Sequence, residues 1–598
     1  TGYHAGNLTA ATLGALTTTG NGSLVTVMPA GGAATRTLAA RAGDRITAKD
    51  LGAVGDGTTN DRPALALAGS ADLILPPGTY VVGSDLTIGG PVRFAKGAKI
   101  KAAGAVTITF AGGIHAPLAQ IFDLTGGAAV AFSGGCIKRG HPEWWGAVRN
   151  DAASAGINTT AINACIVACP VTKLQAADYW HDATINMTTS HRVLQGVATV
   201  YSGAGTATRL VNTSATAKSL HIRKTPDPGT TIDNFLRSVT VRDVEVTRSA
   251  TPDNNPVGVL LEKTLYASLE RVYSCEHGDA FRLSGTVHTK LHGCRGFRSV
   301  NGTNPLMDRF YAFFLDGDAS IGAAGGNAST YITECAAGLG GTPALWDSIG
   351  FYLPNGGVDT FLTRPEASGM KNGIVVSGLA GGSAAAQKTR DVDIQITNPI
   401  IDTFTGVGMR LTNIATGGAV GVLGGYLAPA AGSAATYGIQ IDGSVGLIQL
   451  LGTQVAGWPV TSIVGLGLVN SSGVKSGCML VDCGNPVLLV GANNCEIVDH
   501  IRNNTVAPST ASVWAQSTAP STRNKIAPFI SGAATSTRGV FLQGGTGTTI
   551  HEYNEINCTG IDPAAITGGA GNKLFIAGAG VTTAGTAAGG NLVTGVMS

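Results

Sequence analysis

Charged side chains are scarce in this 598-residue sequence: Asp, Glu, Lys and Arg make up 13% of it, about half the usual share. The 39 basic and 37 acidic residues nearly cancel, to a net charge of +2. That balance leaves no basic footprint for a nucleic acid and none for an anionic membrane surface. Long apolar runs are missing too. No stretch reaches the ~18 consecutive apolar residues of a membrane-crossing helix, although mean hydropathy is slightly positive at +0.21. The ten cysteines show no CxxC spacing, and the near pairs Cys165/Cys169 and Cys478/Cys483 fall in a helical and a strand-rich pattern. They read as small buried apolar groups, with no metal framework, which favours assembly in a reducing compartment. The opening TGYHAGNLTA has neither an initiator Met nor a charged segment, so it reads as a trimmed or processed start rather than a secretory signal.

What is abundant is glycine, 86 residues or about double the average share, with Ala, Thr and Val. β-Branched residues broken by frequent turns predict strands, not long helices. Internal repeats order those strands. LGAV (51–54) opens a polar turn, a short helix pattern NDRPALALAG, and then LILPPGTYVVGSDLTIGGPVRFAKGA (73–98). WGAV (145–148) opens a second round, with the helix pattern NTTAINACIVAC (158–169) and KLQAADYWHDATINMTTSHRVLQGVA (173–198). Leu75, Tyr80 and Gly97 fall opposite Leu174, Tyr179 and Gly196.

A shorter repeat runs through the middle: GVLL at 258, AFRL at 280, AFFL at 312, GFYL at 350, GIVV at 373, GMRL at 408 and GIQI at 438. Small, apolar, any, apolar is a half-buried strand, with the small residue expected at a tight corner. Second strands follow within several coils, as in ASLERVYSC, HTKLHGCRG, STYITECAA and DTFLTRPEA. Stacking them predicts an interior ladder of Leu269, Leu291, Ile332 and Leu362, beside Val272, Cys294, Cys335 and Pro365. One coil cannot bury its own apolar face; a stack of coils can, and its open edge needs a cover. The expected fold is therefore all-β, a single-stranded parallel β-helix whose entrance is capped by the small helix of 60–69. From about 460 the tetrads fade and Asn-x-apolar steps recur at Asn494, Asn524, Asn554 and Asn572. Asparagine suits left-handed corners, and the tail reads as a distinct β-rich domain.

The stretch ITAKDLGAVGDGTTNDRPALALA followed by LILPPGTYVV closely resembles the entry motif of the pectate-lyase-like right-handed β-helix superfamily. HPEWWGAV (141–148) resembles a linker of bacteriophage tailspikes, and PAGGAATRTLAARAGDRI (29–46) resembles their neck. The likeness spans about 30 to 200. It implies a right-handed β-helix in a homotrimeric spike that cuts the host's O-antigen or capsule, acting outside the bacterial cell after assembly in the host cytoplasm. It also implies attachment to the virion tail through a region not evident before residue 30. The organisation then divides as a neck at 1–45, a capping helix with the first module at 46–140, a second cap-like module at 141–230, the main β-helix with its groove at 231–460, and a trimerisation or receptor-binding domain at 461–598.

The densest charge falls at 262–371. Hydrolysis needs two carboxyl groups roughly 5 Å or 6.5–9.5 Å apart, for which Asp316, Glu334, Asp347 and Glu366 are the candidates. β-Elimination needs a base and a cation that neutralises a uronate carboxylate. Aligned on the interior ladder, Glu270, His292, Thr333 and Thr363 form one outward column, and Arg271, Gly293, Glu334 and Arg364 the next. A histidine beside two arginines favours a lyase: His292 or Tyr352 as base, Arg364 and Arg271 on the carboxylate, Glu334 as orienter. Arg295, Asp316, Trp346 and Glu366 are expected to bind substrate. No cofactor is expected; the turn Asp316-Gly317-Asp318 offers oxygen ligands for calcium but lacks the rest of a calcium loop. GGTGTT (544–549) has no lysine and no helix pattern after it, so it is not a phosphate loop. A non-cleaving adhesin and a plain structural fibre are the rival classes; loops and clustered charge speak against the fibre.

Overall fold

The computed structural model describes residues 45–543, apart from 134, 200–206, 230, 250–255, 300–308, 317–326, 341–346, 355–357, 379–392, 458–461, 503–511, 517–518, 520 and 532–539. It also describes isolated strands at 26–27, 36–37, 549–554, 566–567, 573–578, 586–587 and 591–596. The neck expected at 1–45, apart from the strands at 26–27 and 36–37 and Arg45, lies outside the described residues, as do Trp346, Asp318, Asn572 and most of GGTGTT.

Alternation decides the architecture. The tetrads form one parallel 14-stranded sheet, here face 1, with register Val259↔Phe281↔Phe313↔Phe351↔Ile374↔Met409↔Ile439. Every second and fourth tetrad residue points inward and is fully buried. Phe281, Phe313 and Phe351 stack ring on ring, 5.0 and 4.7 Å between centroids. A further 26 strands form one ladder, bent at a corner into faces 2 and 3. On face 2 the ladder Leu269↔Leu291↔Ile332↔Leu362 appears as predicted and continues to Ile396, Val422 and Leu450. Each coil passes through the three faces in turn, and coil pairs with coil in parallel, the strands Thr586–Ala587 and Asn591–Val596 excepted: a parallel β-helix.

The tetrad's small first residue is also required by packing. The ladder pairing skips it in coil after coil, and it lies inside, where face 3 occupies its space. A Cβ on Gly350 would stand 2.8 Å from the Ala367 methyl, and one on Gly373 would overlap Ile401. Close packing excludes larger side chains there.

Two compact units are distinguished. The first comprises residues 1–148 and 160–173, and within it strands from Arg45 to Phe132 build small parallel sheets of four, four and three strands. Helix α1 (Arg62–Ala66) is shorter than its pattern, with Leu65 buried. It occupies the third-face position of the first coil and packs against the edge strand Leu86–Ile88, the covering role expected of it. The motif before it is pinned by Asp61, whose carboxylate accepts from the amides of Val54 and Gly55 at 2.5 and 3.1 Å. Gly55 is required, since it has φ +65° and a Cβ would meet Tyr80 at 2.9 Å. Trp144 and Trp145 are buried, Trp144 donating to Pro117 O at 3.2 Å and Trp145 lying 5.1 Å from the Phe122 ring. They pack; they do not face a sugar.

The second unit comprises residues 149–159 and 174–598. Helix α2 (Ala155–Ala168), of which 155–159 fall in this unit and 160–168 in the first, and the buried Leu174 and Tyr179 match their counterparts in the first round. The tail, read from sequence as a separate β-rich domain at 461–598, extends the same two ladders: Val464–Val469 pairs with Tyr437–Asp442, and Val474–Val481 with Leu447–Ala456. Of its asparagines, Asn494 takes the left-handed corner at φ 52°. Asn524 instead bridges coils from the interior, donating to Ala492 O at 2.8 Å and accepting from Cys495 N at 2.9 Å.

Asp499 is buried in this tail, accepting from Ser476 Oγ and Cys478 N. Burial raises its pKa to about 6, the two hydrogen bonds opposing. A raised acid is stable while protonated, so stability is highest below the unfolded pKa near 4 and falls as pH rises through 6. Asp499→Asn is expected to match the wild type at pH 4 and exceed it at pH 8, by up to about 3 kcal/mol. Unfolding by denaturant at both pH values measures this; an equal effect at both refutes it.

Candidate functional site

Between faces 2 and 3 the chain turns through one residue per coil in the left-handed region: Arg271 (φ 50°), Gly293 (60°), Glu334 (53°), Arg364 (50°), Asn398 (49°) and Gly424 (66°). Their amides bond the next coil: Gly293 N to Thr333 O at 3.0 Å, Glu334 N to Thr363 O at 2.9 Å, Arg364 N to Thr397 O at 2.7 Å. Glycine and asparagine adopt this conformation at low cost; arginine and glutamate do not. Three charged residues at strained corners, with cheaper residues on the following coils, mark this stretch for function.

Their side chains project outward as a column of alternating charge. Arg271 Nε reaches Asp243 Oδ1 at 2.7 Å, a contact that raises the guanidinium pKa further. Arg364 Nη1 meets Glu334 Oε1 at 3.1 Å. Gly293 leaves a gap between the pairs. That gap is part of an open groove of about 390 Å³ lined by Tyr273, Gly293, Arg295, Glu334, Arg364, Glu366 and Ile400. The Arg295 guanidinium lies over the Tyr273 ring at 5.5 Å. Four expected site residues (Arg295, Glu334, Arg364 and Glu366) therefore converge. His292 adjoins on the rim: it is exposed, next to Gly293, and in the column Glu270↔His292↔Thr333↔Thr363. Glu366 pairs with Ala336, two residues past Glu334, which places the two glutamate backbones roughly 8 Å apart.

Tyr352 and Asp316 are elsewhere, on face 1. The third tetrad position makes an outward column, Arg282↔Phe314↔Tyr352↔Val375↔Arg410. Tyr311, Phe314, Ile349 and Val375 cluster there with Tyr352 against them. Arg282 stacks on Phe314 at 5.0 Å and pairs with Asp316 through Nε at 3.0 Å. Arg309 stacks on Tyr311 at 4.9 Å and reaches the buried Asp279 at 3.2 Å. Burial raises the Asp279 pKa even against those two cations. Tyr311 donates to Asp347 Oδ2 at 3.0 Å; burial and then that carboxylate push both Tyr311 and Tyr352 upward. Asp347 pairs with Arg309, at the opposite end of the strand from Asp316, so the two acids stand roughly 20 Å apart and cannot share one bond. Tyr352 is likewise separated from His292 by a sheet boundary.

Sequence reading did not single out Tyr273 or Phe314. The signal for Phe314 was present: the unspecified tetrad position is the outward one, and it holds an aromatic residue in AFFL and GFYL. For Tyr273 the corner had to be located first. Among the described residues no group of three or more His, Cys, Asp or Glu is placed to hold a metal.

No family model matches the sequence, and no curated protein matches it. Solved structures to which the chain is similar include tailspike protein 3 of bacteriophage CBA120, 11% identical over 94% of this chain and 68% of that one, with TM-score 0.32. A mutant tailspike protein of E. coli bacteriophage HK620 in complex with a pentasaccharide is 12% identical over 98% and 84%, with TM-score 0.38. The A-module of the Azotobacter vinelandii mannuronan C-5 epimerase AlgE6 is 14% identical over 88% and 98%, with TM-score 0.22. At these values the likeness assigns no chemistry.

Strain at the corner makes a measurable prediction. Glu334→Gly and Arg364→Gly each remove a left-handed penalty of about 1 kcal/mol and lose only an exposed ion pair of smaller worth. Both variants are expected to be at least as stable as the wild type. Thr363→Gly, at the neighbouring extended position, is expected to lose about 1 kcal/mol. Thermal unfolding of the three compares them directly; marked destabilisation of both corner variants would contradict this account.

Proposed function

We propose that this chain is a phage tailspike whose β-helix binds and cuts an acidic bacterial surface polysaccharide by β-elimination beside a uronic acid. The observation that carries this reading is the corner groove, where two guanidiniums, two carboxylates and an aromatic ring meet in a charge-poor molecule. The tailspike assignment itself rests on the entry, linker and neck motifs. With it come the homotrimer, attachment to the virion tail and action at the outside of the host cell.

Arg295 and Arg364 hold the uronate carboxylate, with Arg271 one coil beyond the gap. Drawing charge off that carboxylate acidifies the proton at C5. His292 on the rim takes that proton. The C5–H electron pair becomes the C4=C5 double bond, the C4–O bond breaks, and the departing oxygen takes a proton from solvent. Glu334 keeps Arg364 in place; the Tyr273 ring offers a face to the sugar. Tyr352 and Asp316, on face 1, belong to a separate binding surface in this reading.

A hydrolase is the second reading, favoured by one observation: Glu334 and Glu366 share the groove at a separation within reach of the inverting geometry. Products separate the two. Incubation with a panel of bacterial surface polysaccharides is expected to release fragments that absorb ultraviolet light through the new double bond. His292→Ala is expected to slow release by about 10²–10⁴-fold, and Glu366→Gln by no more than a few-fold. New reducing ends without absorbance, abolished by Glu366→Gln, would replace the lyase with the hydrolase. Tight binding without fragments would make the protein an adhesin.

A further inference from the structure

Face 2 carries a second hollow, which begins on the coil that lends Ile400 to the corner groove. Its volume is about 300 Å³ and its lining comes from Asp393–Thr397, Ala419–Leu423 and Leu447–Leu451. One outward column crosses its centre, Gln395↔Gly421↔Gln449. Both glutamines are exposed. Gly421 between them has no left-handed backbone, and a Cβ built there would touch nothing within 4 Å. Neither conformation nor packing therefore requires glycine. The space above it is kept open by the residue itself.

The walls are apolar but for the Asp393 carboxylate at one edge, which disfavours an anionic ligand, and three leucines are unusually exposed for their size: Leu423 at 56%, Leu447 at 46% and Leu451 at 49%. Two primary amides stand two coils apart, roughly 10 Å along the axis, which lets them clasp one pyranose ring lying over Gly421. Amides both donate and accept, which suits hydroxyl and acetamido groups and gives no preference for charge. An apolar leucine wall beside paired amides fits an N-acetyl group, with its methyl and its amide, better than a bare hydroxyl. Such sites, largely apolar with a few placed polar groups, are the usual form of a small-ligand site.

We infer that this hollow is a non-catalytic subsite for a neutral N-acetylated hexosamine residue of the bound polysaccharide. The inference rests on the polysaccharide reading of the protein but not on its chemistry of cleavage. The corner groove recognises charge; the Gly421 hollow recognises an uncharged ring, so that one chain engages two kinds of sugar on successive coils.

Filling the hollow tests it. Gly421→Trp places a ring in open space without backbone strain, and its thermal unfolding is expected to match the wild type. Saturation-transfer NMR on the full chain would use oligosaccharides of N-acetylglucosamine and N-acetylgalactosamine, with maltotriose and oligogalacturonate as controls. The acetamido methyl signals are expected to show transfer, with affinity at least tenfold weaker in Gly421→Trp and several-fold weaker in the Gln395→Ala/Gln449→Ala double variant. Absence of transfer from every N-acetylated probe, or equal transfer in Gly421→Trp, would overturn the assignment. A change in sedimentation of Gly421→Trp would also overturn it, since the hollow would then be a contact between protein chains. Loss of probe binding in Gly421→Trp, with no polysaccharide cut by the wild type, would keep the subsite and remove the enzyme reading. Cutting by the wild type without any N-acetyl binding would do the reverse.

Discussion

Parallel hydrogen bonding between consecutive coils is the constraint on which everything else in this molecule depends. It locks each residue beside its equivalent one turn later, about 4.8 Å away, so every choice at one position becomes a choice for a column. Inside, like stacks on like: Phe281 on Phe313 on Phe351, Leu269 on Leu291 on Ile332. A core so built needs no long-range coincidence of distant segments. It needs only that each coil repeat its inward residues and keep small whatever the next face displaces, as Gly350 and Gly373 do. The covered edge at Leu86–Ile88 follows from the same constraint, because a ladder of this kind otherwise ends in unpaired backbone.

The outward columns are where repetition is broken. Along the corner, residues suited to a left-handed backbone give way to Arg271, Glu334 and Arg364, and the exposed carboxylates and guanidiniums pair between coils rather than within them. In a chain with so little charge, concentrating it in one furrow creates a strong local field. The contrast between the charged groove and the uncharged Gln395–Gly421–Gln449 column is thus a property of one sheet read at two heights. Face 1 makes a third surface, in which arginines lie flat on aromatic rings and are held there by Asp279 and Asp316.

Much of the core was legible beforehand because it is periodic. The tetrads, the Leu269–Leu362 ladder and the His292 and Glu334 columns depend only on alternation, which a sequence states directly. The helical cover was legible for the same reason, since its pattern departs from that of the strands. What was not legible is which columns share a face. Coils here differ in length through their connections, so Tyr352 and His292, each in an apolar-alternating strand, cannot be assigned to the same or to different sheets until the corner is located. Asp316 and Asp347, both candidate acids from the sequence, stand at opposite ends of adjoining strands.

The sequence by itself determined that the chain winds into stacked coils and which residues face inward, because burial repeats with a period of two and the coils repeat one another. Only the tertiary structure decided where each coil bends. That bend is a single left-handed residue whose identity varies from Arg to Gly, and it alone selects the side chains that meet in the groove.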